Sequence, residues 1–194
     1  HEDDIPLDEL RGRTRELAGV WLNSNIHGFE PPLPAFDVVE VTAPGGRSVR
    51  VGLLGVVMHN GSEYRRPPFG GGAIDPANET VLRIARYLLS QAGCAVVLPL
   101  THQDIELDRE LLSGLPGELA ARMPLLIGGH EHRVYLEQVA GIQLVKAGCD
   151  AEHAAVIDLE WPAPAQAAGV PDAPTVRLRR CRCRHARGSH GASC

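Results

Sequence analysis

Two short polar clusters carry most of the residues whose types and spacing could do chemistry: Thr101-His102-Gln103-Asp104 and Gly128-Gly129-His130-Glu131-His132. Each follows directly on an apolar stretch that reads as a strand, residues 94–100 and 123–127. Loops at the carboxyl ends of strands in α/β sheets are where ligands bind. If the two strands are neighbours in one sheet, His102, His130 and His132 leave it at the same edge. Neutral imidazole nitrogens bind Zn, Mn, Fe or Ni, and the two glycines let the backbone turn sharply and bring both later imidazoles near one small ion. A lone histidine after a strand is more often a surface or hydrogen-bonded residue; two such strand-end clusters together point to metal binding. Glu131, between two candidate ligands, is expected to support them or face solvent rather than to bind.

Positioning these clusters takes an α/β framework, and the rest of the chain reads as one. Residues 8–16 form a charged helix touching the interior through Leu7, Leu10 and Leu17, and residues 20–26 read as a strand leaving through Asn23 and Asn25. Residues 36–42 and 49–57 are strands joined by Ala43-Pro44-Gly45-Gly46, a hairpin signal. The second is nearly all apolar, as in a strand covered on both faces. The Gly- and Pro-rich stretch 59–72 is a surface loop. Asp75 is placed to cap a helix that has Pro76 at its first position and buries a broad stripe of Val81, Leu82, Ile84, Ala85, Leu88 and Leu89. A second helix covers 104–112, and 134–139, 143–146 and 154–161 read as a strand meander. Strands and helices alternate in the middle, with hairpins on both flanks, so the expected fold is a mixed α/β sandwich.

The 194 residues suit one domain with an ordinary apolar share of 44%, and with aromatics at only 4% the core must be built from Val, Leu, Ile and Ala. A formal net charge of −5 gives no electrostatic case for nucleic acid or an anionic membrane, and no run reaches the ~20 apolar residues of a membrane span. His1 stands first, with no signal-like apolar segment after it, so the compartment is not legible. Cys94 and Cys149 read as buried thiols. Residues 162–174 read as a Pro/Ala-rich linker, and the basic tail with Cys181, Cys183, His185, His190 and Cys194 has irregular spacing for a zinc module, so 162–194 is expected to be disordered.

The chain resembles the calcineurin-like metallophosphoesterase superfamily, in particular its 5'-nucleotidase-like branch. The late motifs of that superfamily, a histidine after a strand and then Gly-His-x-His, match Leu100-Thr101-His102-Gln103-Asp104 and Gly129-His130-Glu131-His132 in order, and Val145-Lys146-Ala147-Gly148-Cys149-Asp150-Ala151 resembles the stretch that follows. An earlier motif, Gly-Asn-His-Glu followed shortly by Asp, is similar to His1-Glu2-Asp3-Asp4. The resemblance covers residues 1–161. It implies a mixed-sheet αββα sandwich and a hydrolase in which two divalent metals activate a water for in-line attack on a phosphoester. By the same resemblance His102 and His130 bind one metal, His132 binds the other, and His1, oriented by Asp4, is the catalytic histidine.

The family's early Asp-x-His and Gly-Asp motifs, which bring the bridging carboxylate, do not precede His1. The expectation is therefore a C-terminal part of the catalytic domain, with its N-terminal strands missing, that holds at most one weakly bound ion and is impaired as an enzyme. The substrate implied is a phosphoester, with a nucleotide as the family's usual case. Two alternatives stay open: a non-catalytic metal-binding or interaction module retaining the fold, and a plain α/β domain with incidental histidines.

Overall fold

Alternation along residues 48–57 divides the interior in two. Val49, Val51 and Leu53 face one side of their strand, and Leu54 and Val56 face the other. In the computed structural model, which describes residues 5–64, 67–161 and 174–183, this strand lies within a six-stranded sheet with a different layer on each face. The elements are α1 (Leu7–Glu16), β1 (Phe36–Thr42), β2 (Ser48–Val57), α2 (Ala77–Ser90), β3 (Val96–His102), α3 (Ile105–Ser113), α4 (Gly117–Ala120), β4 (Leu125–Gly129), β5 (Val134–Val139), β6 (Ile142–Ala147), β7 (His153–Glu160) and β8 (Thr175–Arg182). The sheet order is β1-β2-β3-β4-β6-β5. Its centre, β2 to β3 to β4 to β6, is parallel, and the hairpins β1–β2 and β5–β6 close its edges.

Helix α2 covers the first face because its buried residues Ala77, Val81, Ile84, Ala85 and Leu88 recur at helical spacing. It sits close: a Cβ on Gly52 would meet Leu88 Cδ1 at 2.9 Å. Leu111, Leu112 and Leu119 of α3 and α4 complete that layer over Leu54, Val97, Leu126 and Leu144. The second face, with Val51, Val96, Leu98, Leu125 and Val145, is covered by the β7–β8 hairpin through Ile157, Leu159, Val176 and Leu178. The helix layer, the large sheet and the small sheet are the α, β and β layers of a mixed-sheet sandwich. Among the described residues, no helix is long and apolar enough to cross a membrane.

Several readings of the sequence need correction. Residues 20–26 form no strand, apart from one bridge between Ile26 and Ile74. Asn23 closes a local turn, its Oδ1 accepting from Ile26 N and its Nδ2 donating to Ile26 O, which competes with a ladder. Asp75 does not cap α2: Pro76 takes the N-cap position, and the Asp75 carboxylate lies 2.9 Å from His27 Nε2. The meander breaks after β6, because β7 leaves the large sheet to pair with β8. That strand lies inside the stretch expected to be disordered. Its Val176 and Leu178 alternate inward while Arg177 and Arg179 reach Glu160 and Asp158 on β7. Cys94 is buried, whereas Cys149 is only partly so.

Candidate metal centre

The site begins at the end of the parallel ladder between β3 and β4, where Thr101 stands beside Gly128 and His102 beside Gly129. His102 is the last residue of β3, and His130 is the first after β4. The register therefore brings their rings together, with centroids 5.3 Å apart and planes inclined at 71°. Asp104 Oδ1, from the turn after β3, lies 3.2 Å from His130 Nε2. His132 is exposed two residues further on.

The sharp bend is not made by the glycines. Gly128 and Gly129 belong to β4, while His130 (φ 105°) and His132 (φ 59°) occupy the left-handed region themselves. L-residues persist there only where the surroundings hold them. Glu131, between them, turns inward. Its Oε1 accepts from the Ile105 backbone N at the start of α3, a favourable place for a carboxylate, and both of its oxygens accept from Lys146 Nζ at 3.0 and 2.8 Å.

Lys146 is 1% exposed, and its Nζ also lies 2.9 Å from Asp108 Oδ2, whose side chain is fully buried, and 2.7 Å from Gln103 O. Gln103 Nε2 donates to Asp108 Oδ1 and Asn78 Oδ1, both at 2.9 Å. Burial pushes the Asp108 carboxyl up, with Lys146, Gln103 and Thr101 pulling it back. Gly128 serves close approach here: an added Cβ would meet Lys146 Cε at 2.8 Å, Thr101 Oγ1 at 3.0 Å and Asp108 Oδ2 at 3.1 Å. Gly128→Ala is expected to cost about 1–3 kcal/mol by overpacking, read from urea unfolding; a neutral result would mean that the network gives way without strain.

His102 also faces an open groove of about 390 Å³ lined by Trp21, Leu22, Val57, Leu100 and Ile127. Leu17 and Val20, on its rim, are 52% and 56% exposed. Below it, the buried Asn25 ties its side chain to the Val57 backbone and to Asp75 O.

The structure thus brings His102 and His130 together with Asp104 beside them, and leaves His132 along the same turn. His1 and Asp4 lie outside the described residues, as do His185, His190 and Cys194. Among the described residues, no group of three or more His, Cys, Asp or Glu is arranged to hold a metal ion. A catalytic zinc takes about three protein ligands, so the described residues do not fit a complete metal centre. The sequence reading gives no role to Lys146 or Asp108. Their signal was charge out of place: a lysine ending an apolar strand, and an aspartate on the buried side of α3.

Layer order, strand order and the position of the histidines define a fold of the metallophosphoesterase type. Solved structures that share it include YfkN from Bacillus subtilis, described as a calcineurin-like phosphoesterase, with a TM-score of 0.70 at 20% identity over 91% of this chain and 60% of that one. SoxB from Thermus thermophilus, a sulfate thiohydrolase, matches with a TM-score of 0.69 at 16% identity over 90% of this chain and 30% of its own. A 5'-nucleotidase from Staphylococcus aureus, assigned as such provisionally, matches with a TM-score of 0.69 at 17% identity, covering 94% and 36%. At these identities the likeness is one of fold, and the chain spans 60% or less of the length of each. No protein-family model matches the sequence, and no curated protein matches it.

Proposed function

We propose that this chain is part of a metal-dependent phosphoester hydrolase of the 5'-nucleotidase-like kind, to whose metal site it contributes His102, His130 and His132. The observation that carries this reading is the meeting of His102 and His130 at adjoining ends of parallel strands. It occurs in a fold shared with a calcineurin-like phosphoesterase. Two ions, of the Zn, Mn, Fe or Ni kind that imidazole suits, are the full complement in this reading, with His102 and His130 on one and His132 on the other. His1, oriented by Asp4, is the catalytic histidine. The substrate is a phosphoester, a nucleotide being the first to try.

The ligand set among the described residues is incomplete, so no hydrolytic step is assigned to them alone. The remaining ligands in this reading come from residues outside the described ones. The same incompleteness favours a second reading, a metal-binding module without catalysis.

The test is zinc content after dialysis, together with p-nitrophenyl phosphate hydrolysis, for this chain and for His130→Ala. The expected result is weak zinc binding that His130→Ala abolishes, with hydrolysis slow in both. Zinc binding unchanged by the substitution would overturn the ligand assignment. Fast hydrolysis by the unaltered chain, lost in His130→Ala, would overturn the incompleteness.

A further inference from the structure

Backbone pairing between the two histidine-bearing strands stops at His102 and Gly129. Past that point the turns carrying Gln103–Asp104 and His130–His132 have no ladder to set their separation, so side chains must do it. Lys146 stands where it can. It follows Ile142 and Leu144 on the helix-covered face of β6, and β6 pairs with β4 at Gly128 and Lys146. Its ammonium reaches three segments at once: Gln103 O, the carbonyl next to His102, at 2.7 Å; the Glu131 carboxylate, between His130 and His132, at 2.8 Å; and Asp108 on α3 at 2.9 Å. Glu131 in turn fastens the same turn to the first backbone N–H of α3.

We infer that Lys146 is a positioning residue whose ammonium ties the two histidine-bearing turns to each other and so fixes the separation of the His102 and His130 imidazoles. Stability is a poor reason to bury such a set. A buried cation with two carboxylates is commonly matched or bettered by apolar residues of the same volume. Geometry is a better one. Its single cation is shared between two carboxylates, and it joins the two places that a metal site would need held to within about 0.5 Å. It also accounts for the backbone of His130 and His132, which lies in the left-handed region on either side of the anchored Glu131. That the imidazoles are metal ligands rests on the proposed function; that they are held apart at a set distance does not.

The experiment uses the triple variant Lys146→Met/Asp108→Asn/Glu131→Gln, which removes all three charges together and so leaves none buried alone. Its far-UV circular dichroism is expected to match the unaltered chain. In the metal-free protein, the nuclear Overhauser contact between the His102 and His130 ring protons is expected to be lost, and zinc affinity to fall about 10–100-fold, the range for removing the residues that orient ligands. A folded triple variant that keeps both the ring contact and its zinc affinity would overturn the inference. If the unaltered chain binds no zinc, the metal reading fails, and the ring contact alone decides the positioning role. If the triple variant does not fold, Glu131→Gln alone, which keeps Lys146 beside Asp108, must show the same weakening of the ring contact; an unchanged contact there overturns the inference.

Discussion

Lys146→Met alone is expected to lower the stability of the chain by about 3–5 kcal/mol, the cost of removing one partner from a buried ion pair. The methionine stem can follow the lysine's path, so the loss is electrostatic rather than a cavity. Asp108, fully buried, would keep Gln103 Nε2 at 2.9 Å but lose the cation that opposes its desolvation. Glu131 would keep the Ile105 N–H and lose both contacts to the ammonium. For a chain of this size the thermal midpoint should fall by roughly 10 °C.

The pH dependence has a definite sign. Burial already holds the Asp108 carboxyl above its ordinary value, and without Lys146 it rises further. A carboxyl raised in the folded state binds more protons folded than unfolded, so its stabilising contribution is complete below the unfolded value and is lost as pH climbs through the folded one. The deficit of the variant should therefore shrink on going from about pH 7 toward the unfolded carboxylate range near pH 4. Urea unfolding at both ends checks this. A deficit that grows toward low pH would mean that Asp108 is not the group left exposed to the loss.

Ending the chain after Trp161 should be about as damaging. It removes β8, and with it the whole ladder from His153 with Arg182 to Glu160 with Thr175. It also strips Val176 and Leu178 from the second face of the large sheet. Burying two such side chains is worth about 1.5–3 kcal/mol each, and both are only partly buried, so the expected loss is about 3–5 kcal/mol together with the broken ladder. The uncovered face, with Val51, Leu98 and Val145, should bind the dye ANS. An unchanged unfolding midpoint and no dye binding would return residues 175–182 to a dispensable tail.

That strand shows what the sequence hides. Its alternation, Val176 and Leu178 inward with Arg177 and Arg179 outward, is visible in the letters. The basic composition of the neighbourhood outweighs it, because composition is averaged over a tail and pairing is a matter of single positions. The core strands were legible for the opposite reason: a parallel strand buried on both faces is an unbroken apolar run, and β3 and β4 are such runs with histidines at their ends. Which sheet a strand joins is not legible, since period two says that one face is buried and not against what, and β7 pairs with β8 rather than continuing the meander. The candidate site divides the same way. His102 and His130 were readable from spacing, while the pairing of Lys146 with Asp108 and Glu131 depends on β6 lying beside β4, which no local pattern encodes.

The register that sets Thr101 beside Gly128 and His102 beside Gly129 also bears on how this stretch can change over generations. Neighbouring residues of a strand face opposite sides, so losing or gaining one residue in β4 would exchange the roles of Leu126 and Ile127 and carry Glu131 away from its cation. The apolar side chains there could be traded for others of similar volume. The number of residues from Leu125 to His132 could not, so descent should preserve length in this stretch more faithfully than identity.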